Sequence, residues 1–255
     1  MKMLEMQKNG CEIFKCITEI AERNHLTYTS IFGTVLGAIR HKGPIPWDYD
    51  TDIAVPVDDL PHFVDVLEKE LPEKYWVVYR NDNEVHRPIA RVGLRGYKTD
   101  VLHVDIFPIF GVPEDPEERK KLFQKMNRVV SLRSAKEYSY KGSGLRKRVK
   151  AAFVKYVLFF VSQDALIRRY DKLCNRYPYA TAAKVGVGIR KGNYKWAMEK
   201  DFLLDTVFVD YADFRIRVPR EYDKLLTMYY RDYMKYPPEE QRNKALSKEY
   251  TLKKL

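Results

Sequence analysis

The stretch Trp47-Asp48-Tyr49-Asp50-Thr51-Asp52-Ile53 carries an acid at every second position. Side chains two apart on a strand share a face, so Asp50 and Asp52 should point the same way at the start of a strand. Two carboxylates crowded in a partly dry place repel, and each raises the other's pKa. A divalent cation relieves that repulsion. Carboxylate oxygens with room for water and phosphate oxygens are the ligands magnesium prefers. A third acid, Asp105, stands in Val101-Leu102-His103-Val104-Asp105-Ile106-Phe107, where its neighbours are apolar or aromatic except His103. An acid in such a strand is costly unless paired, protonated or metal-bound. If the two strands are neighbours, Asp50, Asp52 and Asp105 converge and could hold Mg2+, or Mn2+ in its place, against a phosphate chain. The cation would neutralise a leaving phosphate and lower the pKa of an attacking hydroxyl, which is phosphotransferase chemistry.

Simpler readings compete. An Asp cluster after a proline-rich loop can be a turn or a cap. Asp105 alone could be a buried acid paired with an arginine. A calcium loop starting at Asp48 fails, because Ile53 stands where glycine is needed, Pro56 falls at the ninth position and Asp59 replaces the closing Glu.

Upstream, Gly33-Thr34 separates an extended segment from a short helix. Glycine there lets the backbone approach a phosphate, and the helix start offers free N–H groups to an anion. The Thr34 hydroxyl can cap the helix or donate to a phosphate oxygen. Arg40 and Lys42 are candidate donor-phosphate ligands, though basic residues at a helix C-terminus are also ordinary dipole partners. Trp47 can stack on a ligand or pack the loop.

The elements that must position these groups follow from periodicity. Ile13, Phe14, Ile17, Ile20 and Ala21 fall at helical spacing within a helix over about residues 3–24. Leu26–Phe32 reads as extended and Val35–His41 as a brief helix. Gly43-Pro44-Ile45-Pro46 must be a loop, and Thr51–Val55 a strand. Pro61 suits the first turn of the next helix, after Asp58 or Asp59 as cap. Tyr75–Tyr79, Ile89–Leu94 and Val101–Ile109 are strand-like. Residues 115–137 and 145–177 look helical, Leu203–Val218 suggests a hairpin, and a last helix over about Glu221–Tyr236 ends at Pro237-Pro238. This order predicts an α+β fold: a mixed sheet flanked by helices, with a largely helical C-terminal half. A division at 112 would separate a catalytic core (1–112) from a mainly helical substrate-binding part (113–255) packed on it.

The 255 residues suffice for a full core, and 45% apolar with 32% charged residues is a globular composition. No apolar run approaches the roughly 20 residues that span a bilayer. Met1-Lys2-Met3-Leu4-Glu5 does not read as a signal peptide. Cys11, Cys16 and Cys174 fit neither a disulfide framework nor a zinc spacing, which points to reduced thiols in a cytoplasmic protein. The net charge of +11 is uneven. Residues 1–130 hold 18 basic and 21 acidic side chains, and the remaining residues hold 28 and 14. The basic half suggests an anionic partner. Its densest part is Lys141–Lys155, with Lys141, Arg146, Lys147, Arg148, Lys150, Lys155 and no acid, followed by an apolar run to Val161. Segment 141–161 could pack in the core or touch a membrane interface, placing the protein at the inner face of the membrane. No RNA or DNA module motif accompanies the tyrosines, so nucleic acid is disfavoured as a partner.

The run from Gly33-Thr34-Val35-Leu36-Gly37-Ala38-Ile39-Arg40-His41-Lys42-Gly43 through Pro44-Ile45-Pro46-Trp47-Asp48-Tyr49-Asp50-Thr51-Asp52-Ile53 closely resembles the signature of the LicD family. That family comprises phosphocholine transferases and relatives, including fukutin and fukutin-related protein. Val104-Asp105-Ile106-Phe107-Pro108 resembles its second motif. Pro219–Leu226, Tyr230-Arg231-Asp232-Tyr233-Met234 and Pro237-Pro238-Glu239-Glu240 resemble its closing region. The resemblance implies a polymerase-beta-like nucleotidyltransferase fold with Gly33 and Thr34 as its turn, Asp50, Asp52 and Asp105 as its metal triad, and Asp48 as a supporting acid. It also implies transfer of a phospho-alcohol, such as phosphocholine, from a CDP-linked donor to a hydroxyl of a glycan or its lipid-linked precursor, with release of CMP. The pattern departs in three places. Arg231 stands where the family has glycine, Asn243-Lys244-Ala245 stands where histidine follows the double proline, and position 49 is Tyr rather than an acid. Two alternatives keep their place: a nucleotidyltransferase acting on a small molecule or RNA end, and a non-catalytic anion- or membrane-binding protein. The three intact acids argue against the latter.

Overall fold

The computed structural model describes residues 3–79, 89–97, 102–137, 159–188 and 193–247, with positions 149, 152 and 156. Helix α1 (Met3–Arg23) buries the stripe Ile13, Phe14, Ile17, Ile20 and Ala21 and extends it back to Met6 and Met3. Each large side chain so buried contributes roughly 1.5–3 kcal/mol. The chain then enters β1 (Thr29–Ser30), α2 (Phe32–His41) and β2 (Thr51–Pro56). Helix α3 (Leu60–Glu70) starts with Pro61 in its first turn, and Asp59 occupies the cap position without a side-chain cap bond. Strands β3 (Tyr75–Val78), β4 (Ala90–Leu94) and β5 (His103–Val112) complete the first half.

Sheet order is β1-β2-β5-β4-β3. Strands β2 and β5 are parallel, as the intervening crossover requires, and the other pairs are antiparallel. The long β5 has two partners along one edge, β4 against its first half and β6 (Lys184–Val187) against its second. A short β7 (Met198–Glu199) pairs with β6. The predicted mixed sheet with flanking helices is therefore present.

The second half is not largely helical, which corrects the expectation from sequence. Helices α4 (Pro116–Glu137) and α5 (Gln163–Cys174) are there and pack on each other. After them the chain returns to the sheet as β6 and β7. A five-residue helix, α6 (Lys200–Leu204), then leads into a two-stranded hairpin, β8 (Thr206–Tyr211) with β9 (Phe214–Pro219). The physical reason is burial: Val185, Gly186 and Val187 are buried against the end of β5, and Ile216 and Val218 are fully buried on the hairpin's inner face. Most of the expected helix over 145–177 lies outside the described residues before α5. The hairpin itself fits the alternation read from Leu203 to Val218. Its tip aromatics Tyr211 and Phe214 each meet Phe14 of α1 edge-on at 5.6 Å. Cys11, Cys16 and Cys174 are free thiols. Among the described residues no helix is long and apolar enough to cross a membrane.

The last predicted helix is also shorter than its periodicity suggested. Helix α7 covers Tyr222–Tyr230, and α8 (Glu239–Leu246) follows the double proline. Helix α7 stops because Arg231 adopts φ 62° and ψ −110°, a region that favours glycine. This position is also where the sequence departs from the family's glycine. Replacing Arg231 with Gly should therefore stabilise the fold by about 1 kcal/mol, since strain of this kind costs roughly 1–3 kcal/mol against a smaller entropic penalty for glycine. Urea unfolding of both chains checks this; a less stable glycine variant would contradict it.

Candidate active site

The register of the sheet builds the site. Asp52 on β2 lies directly beside Asp105 on β5, and Arg91 on β4 lies directly across β5's other edge from Asp105. Neighbouring strands are about 4.8 Å apart, and residues in register share a face. Asp52, Asp105 and Arg91 thus form a row across three adjacent strands. His103 and Asp50, each two residues before one of these acids, extend the row on the same side.

Arg91 grips Asp105 with both ends of its guanidinium: Nε donates to Oδ1 at 2.5 Å and the second nitrogen to Oδ2 at 3.0 Å. His103 Nε2 lies 3.6 Å from Oδ1. The pair is nearly dry, with side-chain exposures of 7% for Arg91 and 16% for Asp105. Burial alone would push the Asp105 carboxyl upward; contacts with His103 and Arg91 outweigh it and hold the carboxyl well below the usual range.

Asp50 behaves oppositely. The residue reaches solvent, but its carboxyl is set among protein atoms. Desolvation first, then the negative charge of Asp48 and of Asp105, push it above its ordinary value, against weaker opposing effects of His103 and Arg91. It has no ion-pair partner among the described residues. The Asp48 carboxylate accepts a bond from the Asp50 N–H at 3.2 Å. An unneutralised carboxyl beside two further acids is a donor set that suits a hard divalent cation. Asp105 is already shared with Arg91, however. Among the described residues no three His, Cys, Asp or Glu side chains close on one point as metal ligands do.

The acidic loop is held from several sides. Gln7 of α1 donates its side-chain amide to the carbonyls of Ile45 and Asp48, both at 2.8 Å. The hairpin tip donates the Ala212 N–H to the Lys42 carbonyl at 2.7 Å. A Cβ on Gly37 would stand 2.5 Å from the Gly43 carbonyl oxygen, so glycine there lets the loop close over α2. Thr34 is buried, and its hydroxyl accepts the Asp52 N–H at 2.8 Å, which fixes the start of β2 to α2. Gly33 lies at the acids: a Cβ there would meet Asp48 Oδ2 at 3.5 Å.

Arg40 and Trp47 fall in a second cluster beside the acids. The Arg40 guanidinium donates to the carbonyls of Tyr233 and Lys235 at 2.6 and 3.3 Å and lies 5.0 Å from the Tyr236 ring and 5.8 Å from Trp47. Arg242 approaches the same two rings at 5.7 and 5.5 Å. His41 stacks on Tyr236. Lys42 is exposed at the end of α2, in the left-handed conformation at φ 56°.

Sequence reasoning did not single out Arg91, Gln7, Tyr236 or Arg242. Arg91 left a trace, as one cation inside the apolar strand Ile89–Leu94, but its partner depends on register. Gln7 left none.

Residues 25–141, which contain the whole acid row, match the family model described as LicD/FKTN/FKRP, nucleotidyltransferase domain. This part of the chain is similar to that family's nucleotidyltransferase domain. Over 251 residues, 94% of each chain, the protein is 29% identical to the lipopolysaccharide cholinephosphotransferase LicD of Haemophilus influenzae. Two rickettsial proteins match shorter stretches. Uncharacterized protein RT0683 of Rickettsia typhi is 39% identical over 56 residues, covering 22% of this chain and 18% of that one. Uncharacterized protein RP689 of Rickettsia prowazekii is 35% identical over 68 residues, covering 27% and 26%.

The buried pair sets a prediction. Because the folded Asp105 carboxyl titrates below its unfolded value, the pair stabilises the fold above about pH 4 and that contribution fades as pH falls further. Arg91→Met should cost about 3 kcal/mol at pH 7, because it strands a buried charge, and less at pH 3, where protonation removes that charge. Denaturant titrations at both pH values check this; a negligible cost at pH 7 would count against it.

Proposed function

We propose that this protein transfers phosphocholine from CDP-choline to a hydroxyl of a surface glycan or its lipid-linked precursor. The observation that carries the reading is the Asp52–Asp105 register inside a LicD-family nucleotidyltransferase domain. The 29% identity along nearly the whole chain to a lipopolysaccharide cholinephosphotransferase supports the choice of donor and acceptor.

In this reading the acceptor hydroxyl oxygen attacks phosphorus in line. A new O–P bond forms, the P–O bond to CMP breaks, and the hydroxyl proton leaves to a carboxylate of the cluster. Asp50 and Asp52 would hold Mg2+, with Asp105 completing the set through lone pairs that Arg91 leaves free. A cation held there would offset the diphosphate charge and acidify the attacking hydroxyl. Asp105, clamped by Arg91 and His103, is better suited to balancing positive charge than to removing a proton.

Asp48 supports the cluster from the loop. Gly33 leaves space beside it, and Thr34 keeps β2 in place. Arg40, Trp47 and the exposed Lys42 lie on the same loop and helix end, where two guanidiniums and two aromatic rings have no acidic partner among the described residues. That combination suits a nucleotide diphosphate, with cations for its charge and a ring for its base.

Incubation with CDP-choline, a glycan acceptor and Mg2+ should release CMP. Asp52→Asn should lower the rate on the order of 10^3-fold without changing the unfolding midpoint appreciably. Full activity in that variant would sink the assignment. The acid crowding gives a second test that needs no substrate. Asp50→Asn should raise the melting temperature in metal-free buffer, because it removes repulsion, and should reduce the further rise that Mg2+ produces in the native chain. A native chain indifferent to Mg2+ would speak against the metal site.

A further inference from the structure

A second charged region lies at the other end of β5. Helix α4 follows β5, and Asp105 is seven residues before the strand's end at Val112, roughly 23 Å along the strand. On α4, Lys121, Lys125 and Arg128 recur at spacings that put them on one face, and all three are exposed. On α5 and just past its end, Arg169, Lys172 and Arg176 do the same. Among the described residues none of these six cations is ion-paired.

The two helices meet at a cleft of about 110 Å³ lined by Glu118, Lys121, Leu122, Lys125, Arg176 and Tyr177. Three cations against one carboxylate leave the cleft positive. Its small volume suits a phosphate-sized group rather than a nucleotide.

Immediately before α5 stand Phe159 and Phe160, 76% and 83% exposed and edge-on to each other at 5.3 Å. Tyr156, three residues earlier, is 74% exposed. Adjacent large apolar side chains in water mark a contact surface. Exposed cations able to meet phosphates, together with exposed aromatics on the same helical unit, are the features of a surface that lies on an anionic bilayer.

We propose that the α4–α5 face docks on an anionic lipid surface, with Lys121, Lys125 and Arg176 on headgroup phosphates and Phe159 and Phe160 in the interface. The proposal is independent of the acid row. Docking there would leave that row, at the far end of β5, clear of the bilayer.

Co-sedimentation of the full chain with phosphatidylcholine vesicles, with and without phosphatidylglycerol, tests it. Binding is expected on the phosphatidylglycerol vesicles alone and should weaken steeply with salt. The triple variant Lys121→Glu/Lys125→Glu/Arg176→Glu should bind on the order of 100-fold more weakly, at roughly fivefold per cation. Phe159→Ser/Phe160→Ser should also weaken binding; circular dichroism confirms that both variants fold. Equal partition onto neutral vesicles, or unchanged binding by both variants, overturns the proposal. So does abolition of vesicle binding by inorganic phosphate too dilute to screen charge, which would make the cleft a soluble-anion site.

Discussion

Asp105 sits between a like charge and an unlike one, and the sheet is built so that it must. The parallel register of β2 and β5 sets Asp52 at its side, and the antiparallel register of β4 sets Arg91 at the other. A slip of one residue in either pairing would turn one partner to the opposite face. Arg91 makes the buried acid tolerable, because a carboxylate left alone there would protonate. With Asp105 ionised, the nearby Asp50 adds a carboxyl that has no ion-pair partner among the described residues. A folded chain tolerates such residual charge where a ligand is to supply the balance.

The surrounding structure serves that register. Thr34 bonds the first residues of β2 to α2, Gln7 ties the acidic loop to α1, and the hairpin tip closes on Lys42. These contacts come from three separate stretches of chain, so the loop is rigid only when the whole fold is assembled. The same loop carries Trp47 and leads from Arg40, which places cations and aromatic rings next to the acids. Opposite charges are kept apart here: the acids line the sheet edge of the loop, and the guanidiniums of Arg40 and Arg242 gather at the Trp47 and Tyr236 rings.

Much of this was legible in the sequence, and the rest was hidden for physical reasons. The alternation at Asp50 and Asp52 and the apolar setting of Asp105 located the acids, because period-two spacing on strands is a local property. The α1 stripe and the proline loop were equally local. Arg91 was not legible as a partner, because pairing across strands depends on register, which no single segment encodes. Both readings of Asp105 held something: it neighbours the other acids and it is paired with an arginine. The helical second half was misread because β6 and β7 are four and two residues long and draw their stability from β5 rather than from their own pattern. The early end of α7 turns on one backbone angle at Arg231. The Thr34 hydroxyl was expected to face a cap or a phosphate; its bond to Asp52 N–H is tertiary and left no local signal.

A crystal of the protein grown with Mn2+ and a CDP-choline analogue, measured at the manganese absorption edge, addresses the central claim most directly. A single strong anomalous peak about 2.1 Å from carboxylate oxygens of Asp50 and Asp52, with Asp105 facing it from β5, is the expected result. A peak elsewhere, or none while Asp105 remains closed on Arg91, would mean that the acid row is an ion-pair network and not a metal site.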